Sequence, residues 1–228
     1  MFAPSPVRYT ENMSPRPLKP PFTLPDVVTG FHNYFAFTAE TGAVLGELGY
    51  TFTRDALTLP RRPEEVGAWA DYLRSRAGLM LRRIGMNAEI TRREFLIAPL
   101  LLEVSLAVDA ELHSEYAVNV SPQLHGSLDY LLQKDNALVV VAAKQADMAR
   151  GFTQLCAELV AVDTFAPEEM PLIHGAVSVG DTWRFGVLDR ARKHVTQDIG
   201  QFNVPADLDD LLAVLVGVLK NAPAPPSS

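Results

Sequence analysis

The seven residues Ala137 to Ala143, ALVVVAA, constrain this chain more than any other stretch. They are apolar throughout, too short for a helix of ordinary length, and carry three consecutive valines. That pattern predicts a central strand covered on both faces. A polar turn at Asp135-Asn136 precedes it, and Gln123 to Leu132 supplies a partner strand. Lys144 closes the apolar run, and Asp129 lies on the partner. A lone carboxylate and a lone lysine among Leu, Val and Ala are costly to bury. Two strands that bring them together would place a small polar site on an otherwise apolar sheet.

The rest of the chain is read around that pair. Residues 1–25 hold seven prolines and form an arm that can be neither helix nor central strand. Residues 26–90 read as a helical N-terminal elaboration. Within it, Tyr50 to Leu59 alternates as a strand or short hairpin. A helix opens at Pro63 with Glu64 and Glu65 in its first turn and gathers Arg74, Arg76, Arg82 and Arg83 toward its end. The core spans 91–220. Thr91-Arg92-Arg93-Glu94 reads as a capping box. It opens a helix, Phe95 to about Ala110, whose apolar character all round predicts burial. Pro99 should kink or restart that helix, and Glu103 is its one internal acid. Glu111 to Val120 is a first core strand. Ala146 to Val162 is an amphipathic helix with Met148, Phe152, Leu155, Leu159 and Val162 on its core face. Asp147, Gly151, Gln154 and Glu158 share another face. A hairpin about Gly180-Asp181, a short strand at His194 to Thr196 and a closing helix at Asp207 to Lys220 follow. Residues 221–228 form a tail.

The bulk numbers exclude some functions. The net charge of -7 argues against a general nucleic-acid coat or a polybasic membrane binder, while leaving room for a local basic groove. A single cysteine, Cys156, excludes an internal disulfide. The N-terminus lacks the apolar core of a signal peptide, and no apolar run reaches membrane-spanning length. A cytoplasmic location is expected. The histidines His113, His125, His174 and His194 are scattered without metal-site spacing. Trp183 and Phe185 alternate on a strand and read as core.

The order helix, three strands, helix, strand, with Gly126-Ser-Leu-Asp129-Tyr130, then Val139-Val-Val-Ala-Ala-Lys144, then Gln154, resembles the PD-(D/E)-x-K nuclease superfamily over roughly residues 91–190. The resemblance implies an α/β, restriction-endonuclease-like mixed central sheet flanked by helices, acting on DNA with Mg²⁺ or Mn²⁺. It implies Asp129 and the backbone carbonyl of Ala143 as metal ligands, Lys144 as the catalytic lysine and Gln154 as a helix residue near the site. Glu103 matches an acid that some members carry on the first helix. Arg92, Arg93 and Arg150 are candidates for contact with nucleic acid. A homodimer is a family expectation.

One position departs from the pattern. Ala142 stands where the family carries its second acid, and a methyl group binds no metal. Three readings stay open: an acid removed by engineering, a natural pseudo-nuclease that kept the fold for binding, or an acid that has migrated, with Asp147, Glu158 or Glu103 reaching the metal. The first two make the chain inactive as written. The rival function is a catalytically dead scaffold that binds a protein through the Pro-rich arm and the N-terminal helices. Individually, Asp129 could pair with an arginine and Lys144 could snorkel at a strand end.

Overall fold

The apolar strand sits at the centre of the sheet. A computed structural model describes residues 22–144 and 147–220. Most of the Pro-rich arm, the first residue of the helix expected from Ala146, and the tail 221–228 lie outside the described residues. Strand β4, Ala137–Ala143, is buried at every position. Its side chains alternate. Leu138, Val140 and Ala142 pack into one apolar layer, and Val139, Val141 and Ala143 into the other, as expected of a strand covered on both sides.

The fold is mixed α/β. Strands β1 (Thr51–Asp55), β2 (Glu111–Asn119), β3 (His125–Lys134), β4, β5 (Leu172–Ser178), β6 (Thr182–Asp189), β7 (His194–Asp198) and β8 (Phe202–Asn203) form one eight-stranded sheet. Its main path runs β1-β7-β6-β5-β4-β3-β2, with β8 on β6. Strands β2, β3 and β4 make an antiparallel meander. Helix α6 (Met148–Asp163) carries the chain to β5, which pairs parallel to β4. Strands β5, β6 and β7 are again antiparallel, and β1 adds a parallel edge to β7.

Helices cover both faces. Helix α6 lies on one face. The short helices α1 (His32–Ala36) and α2 (Thr41–Glu47) add Tyr34, Val44 and Leu45 to the same core. A buried hydrogen bond of 2.8 Å between Thr41 and Thr153 ties α2 to α6. This second layer explains why α6 is buried from Gly151 through Val162. The other face carries α5 (Ala98–Val108), α7 (Leu208–Lys220) and residues of α3 (Ala68–Arg83), packed on Tyr130, Leu132, Val139, Val141, Trp183 and Phe185. Each fully buried aliphatic or aromatic side chain contributes roughly 1.5–3 kcal/mol. Among the described residues no helix is long and apolar enough to cross a membrane.

Local readings change in three places. The helix expected from Pro63 is split: a 3-10 turn at Pro63–Glu65 ends at Val66, and α3 starts afresh after Gly67. The capping box at Thr91 is not one. Helical structure begins earlier, at α4 (Glu89–Arg92), so Thr91 lies inside it. A π-helical turn, Arg93–Ile97, then joins α4 to α5. It lies just ahead of Pro99, which has no N–H to give to the helical ladder. The third change concerns α5, which is not buried all round. Leu102 and Leu106 are 49% and 68% exposed, because the helix covers the sheet with one face and, among the described residues, has no neighbour on the other.

Candidate functional site

Asp129 and Lys144 meet, as their strand positions predict. The pairing of Tyr130 with Val141 is the last rung between β3 and β4, and one step further brings Asp129 level with Ala142. Beyond that rung the Asp129 carboxylate takes over from the ladder. Its Oδ2 accepts from the Ala143 backbone N–H at 2.8 Å and from Lys144 Nζ at 3.0 Å. Lys144 Nζ also donates to the Ala143 carbonyl at 2.6 Å, and its backbone N–H donates to the Ser178 carbonyl at 2.8 Å. The Lys144 and Asp129 side chains are only 8% and 13% exposed. The pair is mutually satisfied, which is what makes its burial tolerable.

Helix α6 brings three residues to this pair. Asp147 caps it, accepting from the Arg150 backbone N–H at 3.1 Å. Gly151 lies against the lysine stem, where an added Cβ would sit 3.0 Å from Lys144 Cγ. One turn on, Gln154 lines the cleft over Lys144 and donates to Glu158 Oε1 at 2.7 Å. Glu158 is fully buried, and among the described residues its Oε2 has no hydrogen-bond partner. Burial, reinforced by the Asp129 carboxylate, pushes the Glu158 carboxyl up to about 8, against the opposing pull of Lys144 and Gln154. Two of the groups that set its charge are thus the acid and the lysine of the strand pair. An orphaned buried carboxyl oxygen is rare, because desolvation is left uncompensated. Such perturbed groups concentrate at functional sites.

The pair opens on a cleft of about 740 Å³. Its lining includes Asp129, Lys144, Asp147, Arg150 and Gln154, together with Glu89 and Glu115. Thr29, Gly30, Phe31, His32 and Phe35, in and just before α1, contribute the remaining wall with Gly126 and Ser127. Carboxylates therefore outnumber cations along the lining. Arg150 is shared with Asp147 at 3.2 Å.

The other candidates are placed as follows. Arg93 stacks over Tyr130, with 5.3 Å from its guanidinium carbon to the ring centroid. It bridges Glu115 at 2.5 Å and Asp129 at 3.7 Å, behind the cleft. Arg92 donates to the carbonyls of Met86 and Val179 and ties helix to loop. Glu103 is half-buried on α5, which packs on the opposite face of the sheet from Ala142, and it does not line the cleft. Ala142 is completely buried beneath α6.

Sequence reasoning missed Glu89, Glu115, His32 and the α1 wall. Glu115 could have been found from register: the constant β2–β3 offset puts it opposite Asp129. It sits there at φ 52°, a left-handed conformation within a strand, which is a form of strain that collects at functional sites. The α1 wall has no local signal, because it depends on a contact nearly a hundred residues away in sequence. That contact uses two glycines. Gly126, at φ 134°, leaves space for Phe31, whose backbone nitrogen lies 2.9 Å from where a Cβ would stand. Gly30, at φ 141°, lies against the His32 ring.

Among the described residues no group of three or more His, Cys, Asp or Glu side chains is gathered for a metal ion. What the site offers is two carboxylates, Asp129 and Glu158, and the Ala143 carbonyl. Mg²⁺ is commonly held by one or two carboxylates and keeps several waters; Asp129 and the unpartnered Glu158 oxygen are donors of the kind it uses, although Glu158 is buried outside the cleft lining and the Ala143 carbonyl already accepts from Lys144. Compared with known proteins, the chain matches no family model, no curated relative and no solved structure.

Proposed function

We propose that this chain is a metal-dependent nuclease of restriction-endonuclease-like fold, hydrolysing phosphodiester bonds in nucleic acid, in which Glu158 supplies the acid missing at Ala142. The order α5-β2-β3-β4-α6-β5 is in keeping with that superfamily. The observation that carries the reading is Glu158: buried, half-unsatisfied, and coupled in charge to Asp129 and Lys144. Of the acids weighed as migrants, Glu103 belongs to α5, on the other face of the sheet, and Asp147 is engaged in capping α6.

Asp129, Glu158 and the Ala143 carbonyl would hold Mg²⁺ or Mn²⁺, which when bound polarises the phosphodiester and acidifies its water. The residues of the chain do the rest. Hydrolysis forms a bond from water oxygen to phosphorus, breaks the bond to the leaving sugar oxygen and passes a water proton to that oxygen. Lys144, a nearly buried residue of the cleft lining, holds an ammonium where negative charge would grow on the phosphoryl oxygens. Gln154 fixes the Glu158 carboxyl, and Asp129 fixes the lysine.

Cleavage of plasmid and of short DNA and RNA strands with Mn²⁺ tests this. The wild-type chain should cut, and Lys144→Gln and Asp129→Asn should each lower the rate by roughly a hundredfold or more. A folded wild-type chain that cuts none of these would sink the enzyme reading. One observation favours a second reading, a catalytically dead interaction module. The acid-rich cleft lining lacks the row of basic side chains that a polyanion normally demands. That reading predicts no cleavage and no metal uptake.

A further inference from the structure

We infer that the cleft accepts a single strand of nucleic acid, end first, and stacks its terminal base on His32 and Phe35. This rests on the reading of Asp129, Glu158 and Lys144 as a nuclease centre. Three independent features of the cleft lead to it.

The first is size. A cleft of about 740 Å³ falls within the range of roughly 300–1,000 Å³ that holds small ligands. It suits a nucleotide or two, whereas a duplex needs a groove open along its length.

The second is the wall. His32 and Phe35 are three residues apart on α1, so they share one helix face, and both line the cleft. His32 is exposed and Phe35 half-buried, and one side of the His32 ring lies against Gly30. The wall is anchored: Tyr34 Oη donates to the Gln123 carbonyl at 3.0 Å, and the close approach of Phe31 to Gly126 seats the segment against β3. An anchored pair of flat rings beside a phosphate-handling lysine is the arrangement that stacks unpaired bases.

The third is charge. Lys144 and Arg150 are the cations of the cleft lining, and Glu89, Glu115 and Asp147 flank them. Lys144 is already paired with Asp129 and Arg150 with Asp147, so such a lining can attract two phosphates at most and repels those further along the strand. A protein gripping duplex along its length makes several more contacts. A strand terminus presents few phosphates and a free base, which matches the side chains present.

The test uses the full chain and short labelled oligonucleotides: single-stranded DNA, single-stranded RNA and the matched DNA duplex. Each is titrated in Ca²⁺ to suppress cutting, and again without divalent ion. Either single strand should bind at least about tenfold more tightly than duplex. The slope of log K against log salt should be no steeper than roughly −1.4, the value for two phosphates at −0.7 each. His32→Ala and Phe35→Leu should each weaken single-strand binding by about tenfold. Phe35→Leu retains the apolar bulk, so the fold is kept. Mn²⁺ affinity, measured separately, should be unchanged in both variants. The DNA and RNA arms show whether the sugar is read. Duplex binding equal to single-strand binding, a much steeper salt slope, or full affinity in both variants would each overturn the stacking wall. Loss of metal binding in the wild-type chain would instead overturn the catalytic reading, leaving the wall to be judged by the metal-free arm.

Discussion

Glu158→Gln isolates the most unusual group in the molecule. In the native chain the Glu158 carboxyl titrates at about 8, whereas its ordinary value is 4.5. Between those values the native state keeps a proton that the unfolded state has released. Stability therefore falls as pH rises through that window. Each pH unit costs about 1.4 kcal/mol while the two states differ by a full proton. Between pH 5 and pH 7.5 the wild-type chain should lose roughly 3 kcal/mol to this one group. Glutamine removes the titration and can still accept from Gln154. Its amide nitrogen takes the place of the unpartnered Oε2, at a fixed cost of about 1–3 kcal/mol. That cost is independent of pH and cancels when each protein is compared with itself. Urea unfolding at the two pH values measures the difference: the wild-type chain should lose roughly 3 kcal/mol more than the variant. Parallel profiles would refute the burial of an ionisable, unpartnered acid at this position.

Three further outcomes follow from other parts of the fold. Arg190 staples the end of α6, pairing with Asp163 at 2.5 Å and donating to the carbonyls of Asp163, Ala166, Pro167 and Met170. Arg190→Ala strands a largely buried carboxylate and should cost roughly 3 kcal/mol, seen as a melting temperature lower by about 10 °C. Gly126→Ala forces a side chain into a left-handed position and against the Phe31 backbone; it should cost roughly 1–3 kcal/mol in chemical denaturation. Burial lowers His174 from 6.5 to about 4, so the unfolded state binds the proton first, and stability should fall as pH drops below about 6.5. His174→Gln should flatten that acid limb in the same unfolding measurement.

Much of the fold was legible because its signals are local. The valine run of β4, the turn at Asp135-Asn136 and the apolar stripe of α6 each specify one element without help from the rest. The meeting of Asp129 and Lys144 was legible for the same reason, since adjacent strands and a short turn nearly fix the register. What escaped depends on distant contacts. Strand β1 joins β7 across some 140 residues, and nothing in Thr51 to Asp55 names that partner. Thr91 looked like a cap because it has a glutamate three residues later, but the helix had already begun at Glu89. The outer face of α5 looked like core because composition alone does not reveal which side a neighbour covers. Glu158 was visible as one of three polar residues sharing a helix face with Gly151. Its buried, half-unsatisfied state was not, because that depends on α1 and α2 closing over α6.

The central claim is that Glu158 and Asp129 hold one divalent cation together. Calorimetric titration of the folded chain with Mn²⁺ near pH 8 tests it most directly, with Asp129→Asn and Glu158→Gln measured alongside. The account predicts one bound ion for the wild-type chain, released protons on binding, and at least about tenfold weaker uptake in each variant. Undiminished binding in Glu158→Gln, or no binding by the wild-type chain, would contradict it.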